Sequence, residues 1–361
     1  MIKRLLKRFG PSAPAPVAAP APRWVPWAMA FAAGTLAGLL VVVAASLIAR
    51  RLRKKGAAQA PGREASPQKL GSVQEAPPTH KTSAFGMQGK RAAMEDAHVV
   101  ASKGTVTVAG VFDGCGGARA AKLCGARLDT EKLSRALLDA PSGDASPAIE
   151  AFLENCEAAV DAEAKRAGWV DATTAVVCVV NGDTLSVGWV GDSRCVLVGP
   201  AGATNLTRDH NASNPAEAAR VRAGGGLVGR NEKEARASKA TKLSAKVLSP
   251  NLVYRTHPRN PMRVYPGGIT LTRALGGRPL KLRAGCPVVA KAETASVPVG
   301  DATHVILACD GVWDVLNAAG AADIVTAGRG DDAAERLARA AFEKGSTDNI
   351  TAIVVELPAA E

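Results

Sequence analysis

Short apolar runs, separated by Gly, Asp and other turn-forming residues, recur through most of the C-terminal part of the chain. Runs of this kind are typical of β-strands, and they predict strands over 105–112, 174–180, 184–190, 194–199, 303–309 and 349–357. Between them, apolar positions repeat with the helical period and predict helices over 117–138, 147–166, 215–223 and 332–343. This mixture of strands and helices favours a single α/β or α+β domain.

The pattern differs between residues 24 and 49, where no charged residue occurs. About 20 apolar residues in a helix cross a bilayer core, so this run predicts a transmembrane helix, 24–49, in contact with lipid. The run is longer than the apolar core of a signal peptide, and the basic sequence RRLRKK follows it directly. Gly34 and Gly38 have the spacing of small residues in paired membrane helices, which adds a prediction of weak dimerisation.

Basic residues flank the predicted helix on both sides. Residues 1–23 combine an acid-free amphipathic leader with a Pro/Ala spacer, and 50–80 combine a basic juxtamembrane cluster with a flexible linker. The leader suits a mitochondrial transit peptide, a helix on a membrane surface or a plain cytosolic flank, and these alternatives stay open. The denser cluster after residue 49 predicts that the C-terminal domain, 81–358, lies on the cytosolic or mitochondrial matrix side.

The formal net charge of +12 comes mainly from the leader and the juxtamembrane segment. Residues 1–55 contain ten Lys or Arg residues and no acidic residue, so about +2 remains for the rest of the chain. Only 4% of the residues are aromatic. Nucleic-acid binding needs a basic surface and aromatic stacking positions, and this class of function is therefore excluded.

Cysteine and histidine are scattered along the chain. Seven cysteines form no CxxC pair and have no regular spacing, and five histidines form no HExxH arrangement. A disulfide framework and a zinc site are therefore not predicted, and a reducing compartment is favoured.

Acidic residues stand at the ends of the predicted strands. They are Glu95, Asp96, Asp113, Asp192, Asp310, Asp314 and Asp348. Each alone is ordinary turn chemistry, but converging strand ends would gather carboxylates that repel one another unless cations neutralise them. Mg²⁺ and Mn²⁺ prefer such oxygen ligands, and two of these ions can activate a water molecule for attack on phosphorus. Arg91, four residues before the first of these acids, is available to hold phosphate oxygens.

Eight motifs in order resemble a known family. They are RAAMED, VFDGCGG, TTAVV, VGDSRCVL, LTRDHNASNPAEAARVRAGGG, RVYPGGITLTRALGG, ACDGVWDVL and STDNITAIVVEL. Together they resemble the signature of the metal-dependent type 2C serine/threonine protein phosphatases over residues 82–358. The resemblance implies an α+β fold, a four-layer sandwich of two central antiparallel β-sheets flanked by α-helices, here preceded by the one transmembrane helix.

The resemblance also implies roles for the motif residues. The implied metal ligands are Glu95, Asp96, Asp113, Gly114, Asp310 and Asp348. Among them Asp113 would bridge two Mg²⁺ or Mn²⁺ ions, Gly114 would offer its carbonyl oxygen, and Asp96 would orient bound water. Arg91 would contact the substrate phosphate. A third, weaker ion would be bound by Asp192, Asp310 and Asp314.

Two positions depart from the family pattern. Cys115 stands where the family has a histidine, proposed to protonate the departing serine or threonine oxygen, and Gly277 stands where an aspartate usually ends its motif. A cysteine-phosphatase mechanism does not fit, because Arg119 follows Cys115 too closely. Three roles for the thiol stay open: a proton donor in a slower enzyme, a redox-sensitive group, or an inert cysteine. Whether Gly277 loosens a loop or changes cation binding is also open.

The segment 227–266 is basic, with nine Lys or Arg residues. It falls where the family has a variable flap, so it is either an attractor of acidic phosphopeptides or a solvated loop. The sequence as a whole predicts a membrane-anchored, Mg²⁺- or Mn²⁺-dependent phosphatase that acts on phosphorylated proteins near a membrane. The alternative is a pseudophosphatase that binds or scaffolds phosphoproteins.

Overall fold

The computed structural model describes residues 80–128, 143–240, 261–282, 288–328 and 332–358. The predicted leader, the predicted transmembrane helix with Gly34 and Gly38, and the predicted linker up to residue 79 lie outside the described residues. Within the described ranges, no helix is both long and apolar enough to cross a bilayer.

Two five-stranded antiparallel sheets form the centre of the domain. The described strands are Lys81–Met87 (β1), Ala97–Lys103 (β2), Val106–Phe112 (β3), Gly114–Cys115 (β4), Ala172–Thr173 (β5), Ala175–Asn181 (β6), Thr184–Val190 (β7), Arg194–Gly199 (β8), Gly202–Asn205 (β9), Leu227–Gly229 (β10), Arg263–Tyr265 (β11), Leu275–Gly276 (β12), Glu293–Pro298 (β13), His304–Ala308 (β14) and Ile350–Glu356 (β15). One sheet has the order β1-β15-β14-β8-β9, and the other has the order β13-β7-β6-β3-β2. Two small sheets, β12-β5-β4 and β10-β11, lie beside them.

Helices cover the outer faces of both sheets. The described helices are Arg119–Leu128 (α1), Ser146–Ala167 (α2), Pro215–Ala223 (α3), Glu232–Ala240 (α4), Arg278–Lys281 (α5), Asp310–Trp313 (α6), Ala318–Thr326 (α7) and Ala333–Glu343 (α8). Side chains of α1 and α2 form one apolar core with β3 and β6, and those of α7 and α8 form another with β8, β14 and β15. A third core fills the space between the sheets. The described domain is therefore the expected α+β sandwich, with the layers helix, sheet, sheet, helix.

Strand β6 shows why the apolar runs are continuous. Val177 and Val179 pack toward α1 and α2, whereas Cys178 and Val180 pack into the core between the sheets. Successive side chains of a strand point to opposite faces, so both faces of β6 are buried. Full burial of a valine side chain contributes about 1.5–3 kcal/mol, which explains the uninterrupted valine-rich sequence.

The predicted elements are largely confirmed. Predicted helix 215–223 is α3, and predicted helix 147–166 is α2 with one more residue at each end. Predicted helix 117–138 begins at Arg119 and is described as far as Leu128, since 129–142 lie outside the described residues. Strands β1 and β2 were not predicted, because they are edge strands with many polar and half-buried positions. All six described cysteines are free.

Candidate metal centre

The strand register brings the acidic residues to one end of the sandwich. Ala97 of β2 pairs with Phe112 of β3, so the residues just before β2 and just after β3 are neighbours. Ala308 of β14 pairs with Arg194 of β8 and with Ala352 of β15 in the same way. Chain segments that are far apart in sequence therefore deliver their carboxylates to a common cleft.

Asp113 and Asp310 lie at the middle of this cluster. Their carboxylate oxygens and the sulfur of Cys309 lie within 4.8 Å of one another. Cys309 is buried, and its Sγ accepts a hydrogen bond from the backbone N of Thr351 at 3.1 Å. The pattern of acids at strand ends did not include this cysteine, which is tied to the backbone of β15.

Asp96 lies in the same cluster and is buried. Its Oδ2 accepts a hydrogen bond of 2.7 Å from Thr351 Oγ1. Its Oδ1 and the Oδ1 of Asp310 are buried without a hydrogen-bond partner among the described residues. A buried carboxylate oxygen without a partner is costly, and a divalent cation would satisfy it.

The carboxylates raise one another's pKa values. Burial and then the charges of Asp310, Asp96 and Asp192 raise the pKa of Asp113 well above its ordinary range. Burial and then Asp348 raise the pKa of Asp310 to about 7. Groups with these pKa values resist ionisation until positive charge is supplied. The carboxylate oxygens of this cluster fit hard cations such as Mg²⁺ or Mn²⁺, whereas the Cys309 sulfur accepts a hydrogen bond from Thr351 N.

Asp192 and Asp314 extend the cluster on the side of β8. Burial and then Asp310 raise the pKa values of both, that of Asp314 to about 8. Arg194 lies beside them and donates two hydrogen bonds to Asp209, at 2.7 and 2.8 Å. The sequence does not predict Asp209, in the stretch RDHN, as a site residue. Its partner Arg194 lies fifteen positions earlier in the chain, so the residues around Asp209 do not indicate this ion pair.

Arg91 lies on the turn that follows β1 and forms an ion pair with Asp348. Burial alone lowers the pKa of Arg91, but Asp348 outweighs it and keeps the guanidinium charged. Asn349 holds the chain on both sides of Arg91, because its Nδ2 donates hydrogen bonds to the carbonyls of Gln88 and Ala93 at 2.8 and 2.9 Å. The sequence did not predict this role for Asn349.

Glu95 and the DGCGG loop are neighbours in the structure. The backbone N of Glu95 donates to Asn349 Oδ1 at 2.8 Å, and a Cβ at Gly114 would overlap the Glu95 carbonyl oxygen. Cys115 is exposed, and partial desolvation followed by Glu95, Asp192 and Asp310 raises the pKa of its thiol. Near these carboxylates the thiol form is therefore favoured over the thiolate.

Gly277 directly follows β12, which is separated from the Cys115 strand β4 by β5 in the small sheet β12-β5-β4. Its backbone is left-handed, with φ 62°, and its N donates to the carbonyl of Asp171 at 3.0 Å. It begins the short helix α5. Of the basic segment 227–266, the part 241–260 lies outside the described residues, so its effect stays a prediction.

The model of the family described as Protein phosphatase 2C matches residues 81–350. The chain belongs to the protein phosphatase 2C family. This confirms the resemblance that the eight motifs indicated.

Curated relatives agree with the family assignment. "Probable protein phosphatase 2C 7" of Oryza sativa subsp. japonica is 32% identical over 278 residues, which are 74% of this chain and 63% of that protein. "Protein phosphatase 2C homolog 1" of Saccharomyces cerevisiae is 30% identical over 74% of this chain and 89% of its own length. The match to "Probable protein phosphatase 2C 5" of Arabidopsis thaliana spans 54% of that protein. The chain thus spans about half to two thirds of these plant relatives.

Solved structures share the protein phosphatase 2C fold. A sex-determining protein of C. elegans superposes with a TM-score of 0.61 at 24% identity, over 77% of this chain and 65% of that chain. Serine-threonine phosphatase 2C from Toxoplasma gondii superposes with a TM-score of 0.59 at 22% identity, over 77% of this chain and 94% of that chain. At these identities the likeness establishes the fold alone.

Proposed function

We propose that this protein hydrolyses phosphoserine and phosphothreonine in proteins with the help of Mg²⁺ or Mn²⁺. The observation that carries the proposal is the convergence of Asp96, Asp113 and Asp310, with buried oxygens that lack partners among the described residues. Such an arrangement is unfavourable without cations. Membership of the protein phosphatase 2C family supplies the reaction class.

Each residue of the cluster has a proposed task. Asp113 would bind both ions, and Gly114, whose position tolerates no side chain, would contribute its carbonyl oxygen. The remaining proposed ligands are Glu95, Asp96, Asp310 and Asp348 for two ions, with Asp192 and Asp314 joining Asp310 for a third. When bound, the ions would draw charge from the phosphoryl oxygens and lower the pKa of the attacking water.

Arg91 is proposed to bind the substrate phosphate. Its side chain is 57% exposed beside Asp348, so a permanently charged guanidinium is offered at the edge of the cluster. Guanidinium groups bind phosphate oxygens through paired, charge-assisted hydrogen bonds. Asn349 holds the turn that carries Arg91, which fixes where the phosphate would lie.

Cys115 is proposed to protonate the departing oxygen. It is exposed at the cleft, and its raised pKa keeps the proton on sulfur at neutral pH. A thiol side chain is shorter than an imidazole, so we expect a weaker proton donor than histidine and a slower reaction with alkyl leaving groups. A redox-sensitive thiol and an inert cysteine are the alternatives that the prediction below separates.

Membrane attachment is a separate part of the proposal. It rests on the uncharged apolar run 24–49 and on the basic cluster after it, which would keep the phosphatase domain on the cytosolic or matrix side near membrane-bound substrates. Extraction of isolated membranes with alkaline carbonate tests it. Full-length protein that stays in the pellet supports the anchor, and release into the supernatant contradicts it.

The decisive experiment measures hydrolysis of a phosphothreonine peptide by the full-length protein, with and without Mn²⁺. We expect turnover that depends on Mn²⁺ and falls at least about 10³-fold in Asp113→Asn and Asp310→Asn. Asp301→Asn changes an exposed aspartate in the turn before β14 and is the matched control, with unchanged turnover.

A second candidate function is a pseudophosphatase that binds phosphoproteins without hydrolysing them. Cys115 and Gly277, the two departures from the family pattern, favour it. No turnover in the full-length protein, combined with metal-dependent binding of the same peptide, would establish this alternative.

A further inference from the structure

A lysine and an exposed aromatic ring adjoin the turn that carries Arg91. Lys90 Nζ lies 5.5 Å from the centroid of the Phe342 ring, which belongs to α8. Phe342 is 36% exposed and is one of three large apolar side chains exposed in the described part of the domain. An ammonium group above an exposed ring gains about 0.5–1 kcal/mol, enough to bias its position without removing it from solvent.

Arg339, on the same helix as Phe342, differs from Lys90. Arg339 donates to Glu335 at 2.5 and 2.8 Å and also lies over the Phe85 ring. Lys90 is exposed and has no carboxylate partner among the described residues. Its charge is therefore uncompensated within the part of the chain that the structure describes, next to a centre that is otherwise strongly acidic.

The turn holds Lys90 and Arg91 in a fixed relation. Gln88 Nε2 donates to the Arg91 carbonyl at 2.9 Å, and Asn349 holds the Gln88 carbonyl. Gly89 has φ 60°, and a Cβ there would overlap the Asp348 carbonyl oxygen. A turn that is already ordered loses little conformational freedom when a ligand binds.

We propose that Lys90 and Phe342 form a recognition surface for phosphoprotein segments with an aspartate or glutamate one or two residues from the phosphorylated residue. The inference rests on the proposed function, because it takes Arg91 as the group that receives the phosphate. Consecutive Cα atoms of a peptide are 3.8 Å apart, so neighbouring substrate residues reach neighbouring protein residues. The carboxylate meets the Lys90 ammonium, and the substrate's methylene groups lie on Phe342.

The size of the effect follows from the exposure of the charge pair. Exposed ion pairs are weak and screened by salt, and they act mainly on the rate of association. We therefore expect kcat/KM to be about two- to fivefold higher for an acidic peptide than for its neutral counterpart. This ratio should fall toward one at high ionic strength.

The experiment compares two phosphothreonine peptides that differ only by glutamate or glutamine next to the phosphothreonine, with the full-length protein and Mn²⁺. Lys90→Gln should bring the ratio of kcat/KM values close to one, and Lys90→Glu should invert it. Phe342→Leu, which keeps an apolar side chain but removes the ring, should lower the ratio partially. Lys81→Gln is the matched control, because Lys81 is an exposed lysine at the start of β1, whereas Lys90 lies in the turn after the end of that strand, and it should leave the ratio unchanged.

The outcomes separate this inference from the proposed function. A wild-type ratio of one, or a ratio that Lys90→Gln does not change, overturns the recognition surface while the phosphatase proposal stands. If neither peptide is hydrolysed, the phosphatase proposal fails. The two peptides are then compared by their dissociation constants, measured by fluorescence anisotropy of labelled peptides. A preference for the acidic peptide that disappears in Lys90→Gln would still support the recognition surface, and no preference would overturn it.

Discussion

Arg119 donates three hydrogen bonds to the carboxylate of Asp171, from its backbone N, Nε and Nη2, at 3.1, 2.9 and 2.6 Å. Asp171 is completely buried, and the guanidinium of Arg119 lies 5.3 Å from the centroid of the Trp169 ring. Burial alone raises the pKa of Asp171, but the hydrogen bonds from Arg119 outweigh it and hold the pKa below its ordinary value. The pair anchors the DGCGG loop, and with it Asp113, to strand β5.

Asp171→Asn removes the charge from this anchor. The buried carboxylate that accepts hydrogen bonds from Arg119 is replaced by a neutral amide, while Arg119 itself stays partly solvated. We therefore expect the free energy of unfolding to fall by about 2 kcal/mol. Urea unfolding followed by circular dichroism measures it. Glu163→Gln, which breaks the exposed pair with Arg166 on α2, is the control and should leave the midpoint unchanged. Equal midpoints for both variants would contradict the anchoring role.

Two neighbouring glycines of the loop should respond differently to alanine. A Cβ at Gly117, where φ is 142°, would overlap the Asp171 carboxylate, whereas a Cβ at Gly116, where φ is 77°, has no atom within 4 Å. Gly116→Ala should cost about 1 kcal/mol for its left-handed backbone alone. Gly117→Ala should cost at least about 3 kcal/mol, because the Arg119–Asp171 pair must also move. Similar losses in the two unfolding curves would refute this packing argument.

Asp310→Asn should stabilise the protein in EDTA. The pKa of Asp310 is raised to about 7, so the folded protein holds a proton that the unfolded chain releases above pH 4. The contribution of Asp310 to the stability of the metal-free wild type should therefore fall as pH rises from 4 through 7, and at pH 8 the variant should be more stable by about 1–3 kcal/mol.

Addition of Mn²⁺ should reverse that order. A ligand that binds only the folded state stabilises it by about 2.7 kcal/mol at one hundred times its Kd. We expect a clear rise in the melting temperature of the wild type and a much smaller rise for Asp310→Asn. Equal shifts in thermal scans would show that the ion binds elsewhere.

Cys115→His tests the proton-donor role. General acid catalysis contributes about 10²- to 10⁴-fold, and an imidazole reaches farther than a thiol, so hydrolysis of a phosphothreonine peptide should accelerate by about tenfold or more. p-Nitrophenyl phosphate, whose leaving group needs little protonation, should be hydrolysed at nearly the wild-type rate. Equal acceleration on both substrates would argue against the role, and a wild-type rate that is sensitive to peroxide would favour the redox alternative.

His210 should make stability depend on pH. Its ring is buried against Trp189, and its Nδ1 accepts a hydrogen bond from Gly191 N at 3.2 Å. Burial and then the charge of Arg273 lower the pKa of His210 to about 4. The charges of Glu293 and Glu217 act in the opposite direction but do not outweigh these two effects. Between pH 6.5 and 4 the unfolded chain binds a proton that the folded protein does not. The contribution of His210 to stability should therefore decrease as pH falls, by on the order of 2 kcal/mol at pH 5.

His210→Asn keeps a polar side chain at this position but cannot titrate. Its free energy of unfolding should change less between pH 7 and pH 5 than that of the wild type, as measured in urea. Parallel curves for the two proteins would place the pH dependence in other groups.

Local signals explain the elements that were predicted correctly. Helix α3 begins where Asn214 accepts a hydrogen bond from Ala216 N at 3.0 Å, followed by a proline at its first turn. Both residues act on neighbours in the chain, so their effect is readable from sequence. The strand β6 was predicted for a similar reason, since burial on both faces leaves a continuous apolar run.

Long-range partners explain what was missed. Asn349 holds the carbonyl of Gln88, 261 residues earlier in the chain, and Thr351 holds Asp96 across 255 residues. Asp171 was not predicted either, because nothing near it in sequence indicates that Arg119 will bind it. These side chains are ordinary turn or strand residues until the sheets pair.

The sequence by itself determined the buried strands β3, β6, β7, β8, β14 and β15, the main helices, the family and the set of acidic residues, because these depend on periodicity, local hydrogen bonds and residue type. Only the tertiary structure decided that Asp113 and Asp310 share one buried cluster with Cys309, that Asp171 anchors the DGCGG loop, and that Lys90 lies over Phe342. The physical reason is strand pairing: its register sets which distant residues meet, and their burial sets how strongly their charges interact.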